Sequence, residues 1–243
     1  MSLEIKLYQD AQAVAQAAAE SLVAHLAKLL EAQDAAHIVV TGGTVGILTL
    51  EKLSTVESYL VDWNRVHIWW GDERFVPSDS PDRNAVQATA AWLGAAEIPA
   101  ANIHEFPSSD HDLALNEAAI RFDQLLQQFA DSGDLAPKFD VLLLGMGPDG
   151  HIASLFPGKP EIASGVRTVA EHDSPKPPPA RLSFSYELIN TAKEVWFTIA
   201  GADKAEAVSV AFSADKLSLP VGRVCGTHKT VWYLDNSAAS KIG

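Results

Sequence analysis

The stretch from Leu142 to Gly158 constrains this chain most. It is preceded by Val141 and opens as an unbroken apolar run, Val141-Leu142-Leu143-Leu144. It then breaks into Gly145, Gly147 and Gly150, with Asp149 and His151 set among them. Four consecutive apolar residues closed by glycine fit a strand buried on both faces, which is the condition of a parallel sheet covered by helices. In such sheets ligands lie beyond the carboxyl ends of the strands, so His151 stands where chemistry is expected. The plainer alternative is a structural histidine in a glycine-shaped connection, and other segments must decide between the two.

Two more stretches repeat the pattern. His37 to Thr41 is a β-branched run that stops at Gly42-Gly43-Thr44 and gives way to the helix-like GILTLEKL. Strand, glycine turn, helix aims backbone N–H groups and the positive end of a helix at an anion. Val66 to Trp70 is a second buried strand and empties into Gly71-Asp72-Glu73-Arg74. Arg74 is either a solvated residue paired with its acidic neighbours or a cation held at the mouth of the sheet. Around these lie a helix from Ala11 to Gln33 capped by Asp10, a helix beginning near Asp82 or Asn84, a helix from Leu113 to Ala130, and a strand from Phe139 to Leu144. The tryptophans, Trp63 and Trp92 among them, are read as core anchors. Alternating strands and helices imply right-handed crossovers and an α/β fold of three αβα layers on a mainly parallel, Rossmann-like sheet. At 243 residues with 47% hydrophobic content, residues 1–243 are expected to form a single domain.

Further along, Val166 to Val169 is a candidate strand. Ser174 to Arg181 places prolines around Lys176 and is expected to be a stiff extended arm presenting Lys176 and Arg181 ahead of the strand-like RLSFS. Strand Val195 to Ile199, Gly201, helix Asp203 to Ala211, and short strands at Val221 to Cys225 and Val231 to Leu234 complete the chain. The final SAASKIG is expected to be poorly ordered.

Charge and composition narrow the function classes. The net charge of −13 opposes binding to nucleic acid or to anionic membranes, so neither is an expected partner. An anionic ligand would need a local basic pocket, which makes Arg74, Lys176 and Arg181 informative. The single Cys225 rules out an internal disulfide framework, no Cys/His spacing suggests a structural metal, and no apolar run approaches a membrane span. A soluble cytoplasmic protein follows as the expectation, either a monomer or a weak homo-oligomer.

Taken together, GMGPDGHIASLFPG (145–158), GDERFVP with RNA (71–77 and 83–85), TGGT (41–44) and SPKPPPARLSFS (174–185) resemble the signature stretches of the 6-phosphogluconolactonases, in the same order and over nearly the whole chain. The resemblance implies hydrolysis of 6-phospho-D-glucono-1,5-lactone to 6-phosphogluconate in the oxidative pentose phosphate pathway, without metal or other cofactor. On that reading His151 is the general base and Asp149 or Asp72 orients it. Arg74 binds substrate oxygens or the developing oxyanion, while Gly42, Gly43 and Thr44, with Lys176 and Arg181, hold the phosphate. Thr44 is followed here by Val45-Gly46 where the family commonly continues with proline, a residue that only pre-sets a helix start.

Two other functions are weighed. The related glucosamine-6-phosphate deaminases share Asp-Gly-His-Ile-Ala but carry a glutamate five positions after the histidine, where this chain has Phe156. A sugar-phosphate-sensing module would need a basic DNA-binding segment, and neither terminus supplies one. No G-x-S-x-G elbow is present, and Ser154 has no evident partner, so serine nucleophilic catalysis is disfavoured.

Overall fold

The computed structural model describes residues 2–56, 58–110 and 112–242. Seven strands form one sheet in the order β1 (Ser2–Tyr8), β10 (Lys229–Asp235), β9 (Glu194–Ile199), β6 (Val141–Leu144), β2 (Ala36–Val40), β3 (Val66–Trp70), β5 (Ile103–His104), and every pairing between them is parallel. This is the expected α/β sheet, and it is built as the apolar runs demand. All four residues of β6 are buried, so helices must cover both faces.

On one face lie α1 (Ala11–Leu30) and α2 (Thr44–Leu53), which pack against each other. The Asp10 carboxylate caps α1 by accepting from Ala13 N–H at 2.9 Å, and the helix buries Val14, Ala18, Leu22 and Leu26. The opposite face carries α4 (Leu115–Gln128) and α6 (Ala205–Ala211). There Phe122 of α4 meets Trp69, and Phe212, just after α6, meets Trp232. Trp63 and Trp92 are buried edge to face, as core anchors. Among the described residues no helix is long and apolar enough to cross a membrane.

Several expectations are corrected. A second sheet of three antiparallel strands, β4 (Asp72–Arg74), β8 (Arg181–Phe184) and β7 (Thr168–Glu171), stands beside the first, so the segment carrying Asp72 and Arg74 is a strand and not a loop. The cap of α3 (Asn84–Ala88) comes from neither Asn84 nor Asp82. Glu73 supplies it from β4, accepting from Asn84 N–H at 2.7 Å and from Ala85 N–H at 2.9 Å. The proline segment is not an extended arm, because Ser174 N–H donates to Pro179 O at 3.0 Å and closes it into a loop. The expected strand at Val221 to Cys225 is a 3₁₀ turn over Pro220–Arg223, whose Pro220 cannot donate to a ladder. The tail is ordered through Ile242: Ala238 is fully buried and its N–H donates to Asp235 Oδ1 at 2.7 Å.

Candidate functional site

All strands of the large sheet run the same way, so their carboxyl ends share one rim. The chain leaves β2 for β3 on one side and returns to β6 on the other, and the gap between β2 and β6 is the crevice where such sheets bind ligands. A cleft of about 490 Å³ opens there, within the size range of small-molecule sites. It is lined by Gly42, Gly43, Thr44, Asp72, Arg74, His151, Lys176 and Arg181. Segments as far apart as residues 42 and 181 thus meet in one cavity, and of the residues singled out from sequence only Asp149 stands behind its wall.

Asp149 reaches the cleft through His151. Its Oδ1 lies 2.5 Å from His151 Nδ1, while Asp72 makes no bond to the imidazole. Asp72 instead accepts from Ser154 Oγ at 2.7 Å and, through its backbone carbonyl, from Asn84 Nδ2 at 2.9 Å. Ser154 therefore does have a partner, and with 1% exposure it is buried behind the loop. An ionised carboxylate can only accept, so Nδ1 carries the proton and Nε2 is left as the ring's free lone pair. Burial lowers the His151 pKa and the Asp149 hydrogen bond partly opposes it; the net shift is downward, which keeps the imidazole neutral at pH 7. For Asp149, burial pushes up, while the His151 hydrogen bond and charge leave it below the usual carboxylate range.

Local backbone explains why this dyad is set among three glycines. A Cβ on Gly147 would lie 2.0 Å from His151 Nδ1 and 2.5 Å from Asp149 Oδ1, so only glycine lets the ring fold back over the turn. Gly150 has φ +77°, open to glycine at little cost. The ring's other contact is Phe156, at a centroid distance of 4.7 Å.

The anion side of the cleft is the turn into α2. Gly43 is the N-cap with φ 78° and offers no side chain, so the first turn presents its N–H groups to the cavity. Gly42 packs against Asn84, whose Oδ1 would lie 2.0 Å from a Cβ there. Four cations line the cleft: Arg74, Lys176, Arg181 and Lys204. Lys204 was not singled out from sequence. It follows Gly201 at the end of β9, a second strand-glycine-helix junction with the pattern already seen at Gly42, and its Nζ pairs with Asp203 at 2.9 Å. Arg181 is largely occupied: Nε donates to Pro178 O at 3.0 Å and an Nη to Lys176 O at 3.1 Å, which locks the proline loop. Arg74 is not paired to its acidic neighbours. It donates to Asp82 O and keeps a buried Nε without a protein partner among the described residues. Behind it, Glu73 is 1% exposed and accepts from Arg74, Asn84 and Ala85 N–H; burial pushes its pKa up to about 7 against the pull of Arg83 and these donors. Among the described residues no group of three His, Cys, Asp or Glu side chains is placed to hold a metal ion.

Residues 9–232 match the family described as glucosamine-6-phosphate isomerases/6-phosphogluconolactonase. The chain belongs to that family. Members similar to it along their full length include the 6-phosphogluconolactonase of Mycobacterium tuberculosis, 42% identical over 246 residues covering 100% of this chain and 99% of the relative. That of Streptomyces coelicolor is 37% identical, covering 98% and 94%. Among solved structures, the 6-phosphogluconolactonase of Thermotoga maritima superposes with a TM-score of 0.83 at 28% identity, covering 96% of this chain and 100% of that one. The single αβα unit of the glucosamine-6-phosphate isomerase/6-phosphogluconolactonase family is therefore the fold seen here.

Proposed function

We propose that this chain hydrolyses 6-phospho-D-glucono-1,5-lactone to 6-phosphogluconate, with water activated by His151 and no metal in the reaction. The observation that carries this is the placement of the Asp149-His151 pair in one cleft with the Gly42 turn and four cations. Family membership and the lactonase relatives support the substrate class.

In the proposed reaction, Nε2 of His151 takes a proton from water as the oxygen attacks the lactone carbonyl carbon. Charge gathers on the carbonyl oxygen, which the Arg74 guanidinium at the cleft wall stabilises. Collapse of the tetrahedral intermediate breaks the bond from that carbon to the ring oxygen, and His151 returns the proton to the oxygen as it leaves. Asp149 holds the ring in the required tautomer and stabilises the imidazolium formed midway. The phosphate lies at the N-terminus of α2, against Gly42, Gly43 and Thr44, with Lys204 and Lys176 supplying charge. Val45 and Gly46 leave this first turn intact without the usual proline. Arg181 serves it indirectly, by fixing the loop that carries Lys176. A reducing cytoplasm, where Cys225 stays a thiol, is the compartment in this reading.

Following 6-phosphogluconate formation from freshly made lactone, above the spontaneous rate, tests the proposal. Accelerated product formation is expected. No acceleration, with ammonia released from glucosamine 6-phosphate instead, would replace it by the deaminase reading, which Phe156 at the position of that family's glutamate disfavours.

A further inference from the structure

The edge strand β1 carries a feature that the cleft does not use. Leu3, Ile5 and Leu7 are 59%, 41% and 58% exposed, an apolar stripe along the outermost strand of the sheet. Their registered neighbours on β10 are Thr230, Trp232 and Leu234, so the stripe continues the face on which Phe212 covers Trp232, but lies beyond that cover. The backbone is open on the same residues. Ser2 N–H donates to His228 O and Tyr8 O accepts from Asn236 N–H, so even-numbered residues turn their amides toward β10 and odd-numbered ones turn them outward. Among the described residues no strand pairs with this edge, and an unpaired apolar edge is a template for another strand.

From this strand's own sequence, SLEIKLY, we infer that the occupant is a second copy of the chain, paired β1 to β1 antiparallel across a two-fold axis through Ile5. In that register Ile5 faces Ile5 and Leu3 faces Leu7, the positions whose outward N–H and C=O groups exchange both hydrogen bonds. Glu4 then faces Lys6 on the other surface, twice by symmetry, so each charge meets its opposite. A shift by two residues would set Glu4 against Glu4 or Lys6 against Lys6. Within one chain Glu4 already lies 3.7 Å from Lys6 and near Lys229, so both side chains are held at this edge. The contact joins two sheets into one, and its small area makes it a weak dimer, with a dissociation constant of roughly 10 µM to 1 mM.

Sedimentation velocity over a concentration series tests this. The wild type is expected to move from the 26.0 kDa monomer toward twice that mass. Lys6→Glu alone and Glu4→Lys alone each juxtapose like charges and are expected to lose the dimer, with at least a tenfold weaker association. Mixed together, the two variants regain complementarity and are expected to form a heterodimer. Ile5→Lys is expected to stay monomeric while keeping wild-type turnover, since Ile5 is not among the residues that line the cleft; this guards against a misfolded charge variant. A wild type that stays monomeric at ~1 mM, single variants that dimerise as the wild type does, or a mixture of folded variants that fails to associate would each overturn the inference.

Discussion

Replacing Asp149 by asparagine isolates the charge behind His151. Asparagine is nearly isosteric and its Oδ1 can still accept from Nδ1–H, so tautomer and ring position are kept while the carboxylate charge is lost. The bond removed is a charge-assisted one of 2.5 Å, of a kind that contributes about 1.5–3 kcal/mol. Asp149 is 38% exposed, and solvent screening brings the expected loss to about 1–2 kcal/mol. The imidazolium exists only on the way to the transition state, so this loss falls on kcat: about 5- to 30-fold at pH 7, with KM little changed. The pH profile supplies a second sign. His151 is active when neutral, and its pKa already lies below 6.5 because burial outweighs the raising influence of Asp149. Asp149→Asn removes that influence, so the acid limb of kcat/KM moves to lower pH. Initial rates from pH 5 to 7.5, corrected for spontaneous lactone opening, would measure both. An unchanged plateau with an unshifted limb, or a limb moved upward, would refute the dyad.

Lys204→Ala and Lys176→Ala are each expected to raise KM for the phosphorylated lactone severalfold with kcat nearly kept; an unchanged KM for either removes that cation from the phosphate site. Gly42→Ala forces a Cβ to 2.0 Å from Asn84 Oδ1, so urea melts should show a loss of about 1–3 kcal/mol together with a raised KM. Glu73→Ala leaves the buried N–H groups of Asn84 and Ala85 without their acceptor and should cost about 1–3 kcal/mol in the same melts; a neutral result would contradict the cap assigned to Glu73. Acid should weaken the fold through His37 and His104, which stack with His67 and Trp69 under Phe129 and have pKa values lowered by burial to about 4 and about 3. Their folded values lie below the unfolded 6.5, so their contribution is complete above pH 6.5 and is lost as pH falls toward 3. His104→Phe should flatten the urea midpoint between pH 7 and pH 5, and an equally steep dependence in that variant would assign the acid sensitivity elsewhere.

The parallel sheet was legible because its strands are short runs of buried apolar residues closed by glycine or charge, as at Val40-Thr41-Gly42 and Leu144-Gly145. Those same closures mark the carboxyl rim, so Gly42, Asp72 and His151 are marked for one cleft by the sequence itself. The second sheet was legible only in part: strands were expected at Val166 to Val169 and at RLSFS, where β7 and β8 lie, but β4 holds only three residues and begins two residues after β3 ends, so Asp72 to Arg74 reads as a charged loop. The choice of Asp149 over Asp72 depends on side-chain reach across a turn, which spacing does not encode; Ser154, far along the chain from Asp72, occupies that carboxylate. Lys204 was missed because the segment from Asp203 to Ala211 reads simply as a helix, with nothing in its spacing to show which side chain faces the cleft. The proline loop was misjudged because its closure rests on a single bond between Ser174 and Pro179, and on Arg181 donating back into it. The tail is held by the burial of Ala238 and by Asp235, neither of which has a periodic signature.

In this mechanism His151 makes the nucleophile and the rest of the cleft holds the substrate. Turnover of His151→Ala, set beside calorimetric binding of 6-phosphogluconate to the same variant, tests it most directly. The expected result is a fall in kcat of about 10²- to 10⁴-fold with product affinity kept within about threefold. Near wild-type turnover in that variant would contradict it.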